Sequence, residues 1–170
     1  MKAWIIGPQA SGKTTFSHWL AATADVPVFH LDAMFWDARW RPLPGAERRR
    51  ELYRVLSAHD DWVIDGTYTS VQDDILTRAG SVFVMGTSLP VAMRRLVTRR
   101  TSVDSCDVPP GGARARGVPR RLVLSQVRQS LRKIPELRRE VIRRGIPLVT
   151  VRFQPGDAVI GHEGRGLGCE

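Results

Sequence analysis

Gly7-Pro8-Gln9-Ala10-Ser11-Gly12-Lys13-Thr14 is the stretch on which the fold turns. It fits G-x-x-x-x-G-K-[ST], with strand-like Lys2–Ile6 before it and helical Thr14–Ala24 after it. Glycines at both ends let the backbone curl, so that successive N–H groups point at one phosphate group. The N-terminus of the following helix adds its positive dipole end. Lys13 is placed to reach the β- and γ-phosphates of ATP, and the Thr14 hydroxyl to ligate Mg²⁺. The candidate nucleotide contacts are therefore Gly7, Pro8, Gln9, Ala10, Ser11, Gly12, Lys13 and Thr14, with Thr15 beside them.

Outward from this loop, short β-like runs alternate with longer helical ones. Val26–Leu31 reads as a second strand, and Trp62–Ile64 and Ser81–Met85 as buried strands without polar alternation. Ala46–Ala58 carries Leu52, Val55 and Leu56 on one face, which suits a surface helix. A helix is expected from Pro90 to about Arg100, and another from Pro119 to about Arg144, kinked or split at Pro135. Pro147–Phe153 reads as a last strand, and residues 154–170 as an irregular tail. Strands separated by helices imply a parallel sheet covered on both faces, with ligands at the carboxyl ends of its strands.

The chain has 170 residues, enough for one domain, here 1–153. No apolar run approaches the roughly 20 residues needed to cross a bilayer, and Cys106 and Cys169 make no disulfide framework or metal knuckle. A cytoplasmic protein, monomeric or homodimeric and without a membrane partner, is expected. The formal net charge of +9 is uneven: residues 1–86 carry 9 Lys/Arg against 10 Asp/Glu, and residues 87–170 carry 17 against 7. That excess suits a polyanion, either nucleotide phosphate or nucleic acid. No aromatic residue interleaves with the arginines between Arg94 and Arg152, so stacking on single-stranded nucleic acid is poorly supported.

A nucleotide triphosphate site needs a second carboxylate for the magnesium water shell. Trp62-Val63-Ile64-Asp65 supplies an apolar strand ending in an acid, with capping of the turn into Gly66 as the alternative. Asp32 ends Val28-Phe29-His30-Leu31-Asp32, where it orients an acceptor hydroxyl or a metal water, or caps a helix. Trp36 stacks an acceptor base or packs against the helix of residues 46–58, and Tyr68 bonds an acceptor or lines the cleft.

The loop, His30-Leu31-Asp32 with Phe35-Trp36 and Trp40, and Trp62-Val63-Ile64-Asp65-Gly66-Thr67-Tyr68 resemble the adenylate kinase-related P-loop proteins. They are most similar to the bacterial branch catalogued as DNA topology modulation proteins, over about residues 1–100. The resemblance implies an α/β P-loop NTPase with a five-stranded parallel sheet, helices on both faces and a short mobile lid, about residues 101–118, closing over ATP. It also implies a Mg²⁺-dependent kinase core acting on a small-molecule phosphoryl acceptor, or a nucleic-acid-associated regulator with a slow ATPase cycle.

Arg95 and Arg99 match the family's lid entry, Arg95 against ATP and Arg99 as a catalytic clamp with Lys13 and Asp32. Arg114 and Arg116 of the lid would join that clamp around the substrates. In one place the sequence departs from adenylate kinases proper, which follow the Asp-Gly step with an arginine for the acceptor's phosphate. Thr67-Tyr68-Thr69-Ser70 stands here, with no arginine until Arg78, which favours an unphosphorylated or differently anchored acceptor.

Overall fold

The computed structural model describes residues 1–37, 41–87, 91, 120–154 and 157–162, with residues 120–131, 153, 154 and 157–162 described as backbone only. Five parallel strands form the sheet expected from the sequence: β1 (Lys2–Ile6), β2 (Val28–His30), β3 (Trp62–Asp65), β4 (Ser81–Met85) and β5 (Leu148–Gln154). Their order across the sheet is β2-β3-β1-β4-β5. The β1 register pairs Ile5 with Asp65 on one side and Ile6 with Val84 on the other. Every β1 neighbour is therefore parallel, and the carboxyl ends of β2, β3 and β1 share one edge.

Alternation along β1 feeds two cores. Trp4 and Ile6 pack on one face with Leu31, Phe35, Leu52, Leu56, Ile75, Leu137 and Val141. Ala3 and Ile5 pack on the other face with Phe16 and Ala21. Helices consequently cover both sides: α1 (Lys13–Ala24) one face, and α2 (Leu31–Phe35), α3 (Gly45–Ala58), α4 (Gln72–Leu76) and α5 (Arg120–Arg143) the other. On α3 the buried residues are Leu52, Val55 and Leu56, the stripe read from the sequence. On α1 Phe16, Ser17 and Ala21 are buried, and the Ser17 hydroxyl is satisfied by the Thr14 carbonyl at 2.8 Å.

Three features differ from the sequence reading. α2 and α4, five residues each, are too short to show periodicity. α5 runs through Pro135 as one helix. The tail expected to be irregular contains β6 (Asp157–His162), which pairs antiparallel to β5 from Val149↔His162 to Gln154↔Asp157. Among the described residues the sheet thus has six strands, five of them parallel. Among the described residues no helix is long and apolar enough to cross a membrane.

Candidate functional site

The loop between β1 and α1 curls through two left-handed residues, Ala10 (φ 59°) and Gly12 (φ 91°). Such alternation of hand gathers backbone N–H groups into an anion-binding concavity. Gly7 is required for a different reason. A Cβ there would lie 2.7 Å from Met85 Cβ and 3.0 Å from Ser11 Oγ, so a side chain would close the cradle. The amino end of α1 has neither a side-chain cap nor an acidic residue in its first turn. Its positive end is thus uncompensated by any group of its own. Lys13 arches back and its Nζ donates to the Pro8 carbonyl at 2.9 Å. Ser11 Oγ is buried without a hydrogen-bond partner among the described residues.

Asp65, 6% exposed, ends β3 beside this loop. Its Oδ2 accepts from Thr14 Oγ1 at 3.0 Å and faces His30 Nδ1 at 3.2 Å. The parallel register places His30 opposite Asp65, which is why a β2 residue reaches it. Asp65 Oδ1 and His30 Nε2 are both buried without partners among the described residues. Gly66 follows with φ 135°, and a Cβ on it would meet Leu31 Cβ at 2.9 Å. The residues fit a magnesium-bound nucleotide: a hydroxyl next to a carboxylate with an unspent oxygen, below a cradle of N–H groups. Among the described residues no three His, Cys, Asp or Glu side chains are grouped so as to hold a metal ion.

The acceptor-side candidates come together as well. Tyr68 donates its hydroxyl proton to Asp32 Oδ1, and Trp36 Nε1 donates to the Tyr68 oxygen at 2.7 Å. Burial, and next the neighbouring Asp32 charge, raise the Tyr68 hydroxyl pKa above its ordinary value. Phe35 meets the Tyr68 ring edge-on, with centroids 5.0 Å apart. Phe35 itself is buried in the core, and Asp32 stands exposed at the mouth.

Three residues at the site escaped the sequence reading. His30 stood only inside a motif, and its partner Asp65 is 35 positions away. The Thr67 hydroxyl accepts from Gly7 N–H and donates to Gly7 C=O, both at 3.2 Å, tying the Asp65–Tyr68 segment to the phosphate loop. Arg48, from α3, lies 6.0 Å from the Phe35 ring centroid and donates to Ser70 Oγ at 3.4 Å. It supplies a cation where the chain after Gly66 has none. Thr15 is exposed on the outer side of α1. Trp40, Arg95, Arg99, Arg114, Arg116 and the expected lid at 101–118 lie outside the described residues.

No family model matches the chain, and no curated protein matches it. Among solved structures, shikimate kinase from Acinetobacter baumannii in complex with shikimate is 16% identical. It superposes with a TM-score of 0.50 over 91% of this chain and 84% of that one. Shikimate kinase from Bacteroides thetaiotaomicron is 16% identical, with a TM-score of 0.48 over 81% and 80% of the two chains. A gluconokinase from Sinorhizobium meliloti is 17% identical, with a TM-score of 0.45 over 84% and 96%. The first of these likenesses carries the fold: an α/β P-loop kinase fold. None of them bears on the DNA topology modulation branch.

Proposed function

We propose that the chain is a Mg-ATP-dependent phosphotransferase acting on a hydroxyl of a small molecule. One observation carries this reading: the carboxylate of Asp32, held by Tyr68, stands on the same strand edge as the phosphate loop and the Thr14–Asp65 pair. An NTPase that only switched or pumped has no need of a second, exposed carboxylate oriented on that edge. The fold shared with shikimate kinase agrees with it.

In this reading the N–H groups from Gly7 to Thr14 cradle the phosphates, and Lys13 leaves the Pro8 carbonyl to neutralise charge on the transferring group. Thr14 and, through water, Asp65 would hold a magnesium ion, which when bound would offset charge on the phosphate oxygens. His30 keeps Asp65 Oδ2 in place. Asp32 orients the acceptor and takes its proton. Trp36 and Tyr68 wall the acceptor side, and Arg48 favours an acceptor that also carries an anionic group. Arg95, Arg99, Arg114 and Arg116 supply further positive charge to the phosphate clamp.

The deciding experiment presents Mg-ATP with nucleosides, nucleotides and small polyols, reading ADP release. A hydroxyl compound is expected to accelerate release well above the rate with water alone. A flat panel rejects the kinase. The second reading, a nucleic-acid-associated regulator, rests on the basic carboxyl half, where Arg132, Arg139 and Arg143 are exposed on α5. Part of that charge is matched within the fold, since Arg143 and Arg144 pair with Glu140, and Arg144 also with Asp73. Duplex DNA binding that survives near physiological salt would favour the regulator.

A further inference from the structure

The hydrogen bonds linking Trp36, Tyr68 and Asp32 run in one direction, and chemistry fixes it. An indole N–H only donates. Trp36 therefore occupies a lone pair of the Tyr68 oxygen, and the phenol's own proton is committed to Asp32 Oδ1. The edge-on contact with Phe35 holds the Tyr68 ring at 84° to its neighbour, which restricts rotation of the phenol. The backbone on either side is pinned too: Gly66 packs against Leu31, one residue before Asp32, and Thr67 is tied to Gly7. Because burial and the Asp32 charge raise its pKa, Tyr68 remains a proton donor throughout the working pH range.

We infer that Tyr68, backed by Trp36, is a positioning residue that holds the Asp32 carboxylate oriented for a hydroxyl acceptor. This deepens the kinase reading and rests on it. In the step so served, the acceptor oxygen forms a bond to the γ-phosphorus. The bond from that phosphorus to the β–γ bridging oxygen breaks, and its electron pair leaves with ADP. The hydroxyl proton passes to the Asp32 carboxylate. A carboxylate at this mouth repels an attacking phosphate oxyanion, so the chain of bonds selects a hydroxyl over a phosphate oxygen as the attacking group.

The test is a double-mutant cycle on the whole protein, with Mg-ATP as donor and glycerol, gluconate, adenosine or AMP as acceptor. Tyr68→Phe keeps the ring against Phe35 and loses only the hydroxyl. It is expected to lower kcat about 10²-fold with the best hydroxyl acceptor while leaving the KM for ATP unchanged. Asp32→Asn is expected to lose at least as much, and the double variant no more than Asp32→Asn alone, because Tyr68 acts through Asp32. Additive losses, an unchanged kcat in Tyr68→Phe, or AMP as the fastest acceptor through its phosphate oxygen would overturn the inference.

A second readout does not need turnover. The ¹⁵N-indole resonance of Trp36, identified by its loss in Trp36→Phe, is expected to shift in Asp32→Asn as well as in Tyr68→Phe, since polarisation passes along the chain. A resonance indifferent to Asp32→Asn overturns the positioning role. If no acceptor raises ADP release, the kinase reading fails instead, and the resonance alone decides the chain: a shift supports it, no shift overturns it.

Discussion

In the proposed reading the eight consecutive residues from Gly7 to Thr14 bind mostly through backbone, with side chains contributing at Lys13 and Thr14. On the acceptor side, Asp32, Trp36 and Tyr68 come from segments up to 36 positions apart, and the surface is made of side chains bonded to one another. Both lie at the carboxyl edge of the same sheet. The phosphate loop recognises something invariant, a tetrahedral anion, and a local backbone curl suffices. In the same reading the acceptor side must choose among molecules, and side chains brought together over long range allow that choice.

Lys13→Ala is the most severe way to test the backbone half. Lys13 is only partly buried and lies in the loop outside both cores, so the fold should survive while ATP turnover falls by about 10³-fold. Circular dichroism and ADP release check the two halves of that statement. Turnover at the wild-type rate would mean that the loop is a structural turn and no phosphate site.

Asp65→Asn comes next. Asparagine still accepts from Thr14, so the loop remains tied to β3, but the unspent anionic oxygen is lost. Activity at limiting Mg²⁺ is expected to fall about 10²-fold, with nucleotide affinity in the absence of metal nearly unchanged. Equal losses with and without Mg²⁺ would make Asp65 a turn cap, which is the alternative its sequence position also allows.

How much could be read in advance follows from the same contrast. The glycine loop, the strand ending in Asp65 and the α3 stripe of Leu52, Val55 and Leu56 are local patterns, and all three stand where the sequence puts them. Asp32, Trp36 and Tyr68 were legible as candidates but not as a bonded chain. Nothing within a few residues of Trp36 says that its N–H meets a phenol 32 positions on. Arg48 was hidden more deeply, as one of three consecutive arginines on a helix whose other two, Arg49 and Arg50, are exposed. Only the packing of α3 over Phe35 singles it out. β6 was missed because a strand of Asp157–His162, entered through Pro-Gly and carrying Gly161, has a weak intrinsic β signal. Its register comes from the exposed edge of β5.

Thr67→Val probes whether the two regions are separable at all. Thr67 belongs to the acceptor-side segment by sequence, yet both of its hydrogen bonds go to Gly7. Valine keeps the shape and loses both bonds. At roughly 0.5–1.5 kcal/mol each, that is a weakening of ATP binding by about fivefold or more, read as a rise in the KM for ATP. A change confined to the acceptor's KM would show instead that the loops move independently.

The mildest change is Trp36→Phe, and its size is informative because the hydroxyl it releases belongs to Tyr68. The indole N–H contributes one hydrogen bond between neutral groups, at 2.7 Å, to an oxygen whose proton already goes to Asp32. Losing one such bond costs about 1 kcal/mol, close to a fivefold effect. Phenylalanine retains most of the apolar surface against the core, so thermal stability should move little. The expected result is a fall of about fivefold in kcat with the best hydroxyl acceptor, an unchanged KM for ATP, and no further loss when Trp36→Phe is added to Tyr68→Phe. If Trp36 instead stacks an acceptor base, the pattern inverts. The acceptor's KM then rises sharply, kcat holds, and the loss adds to that of Tyr68→Phe. The two roles predict opposite columns of the same kinetic table, so a single variant separates an indole that orients a carboxylate from one that binds substrate.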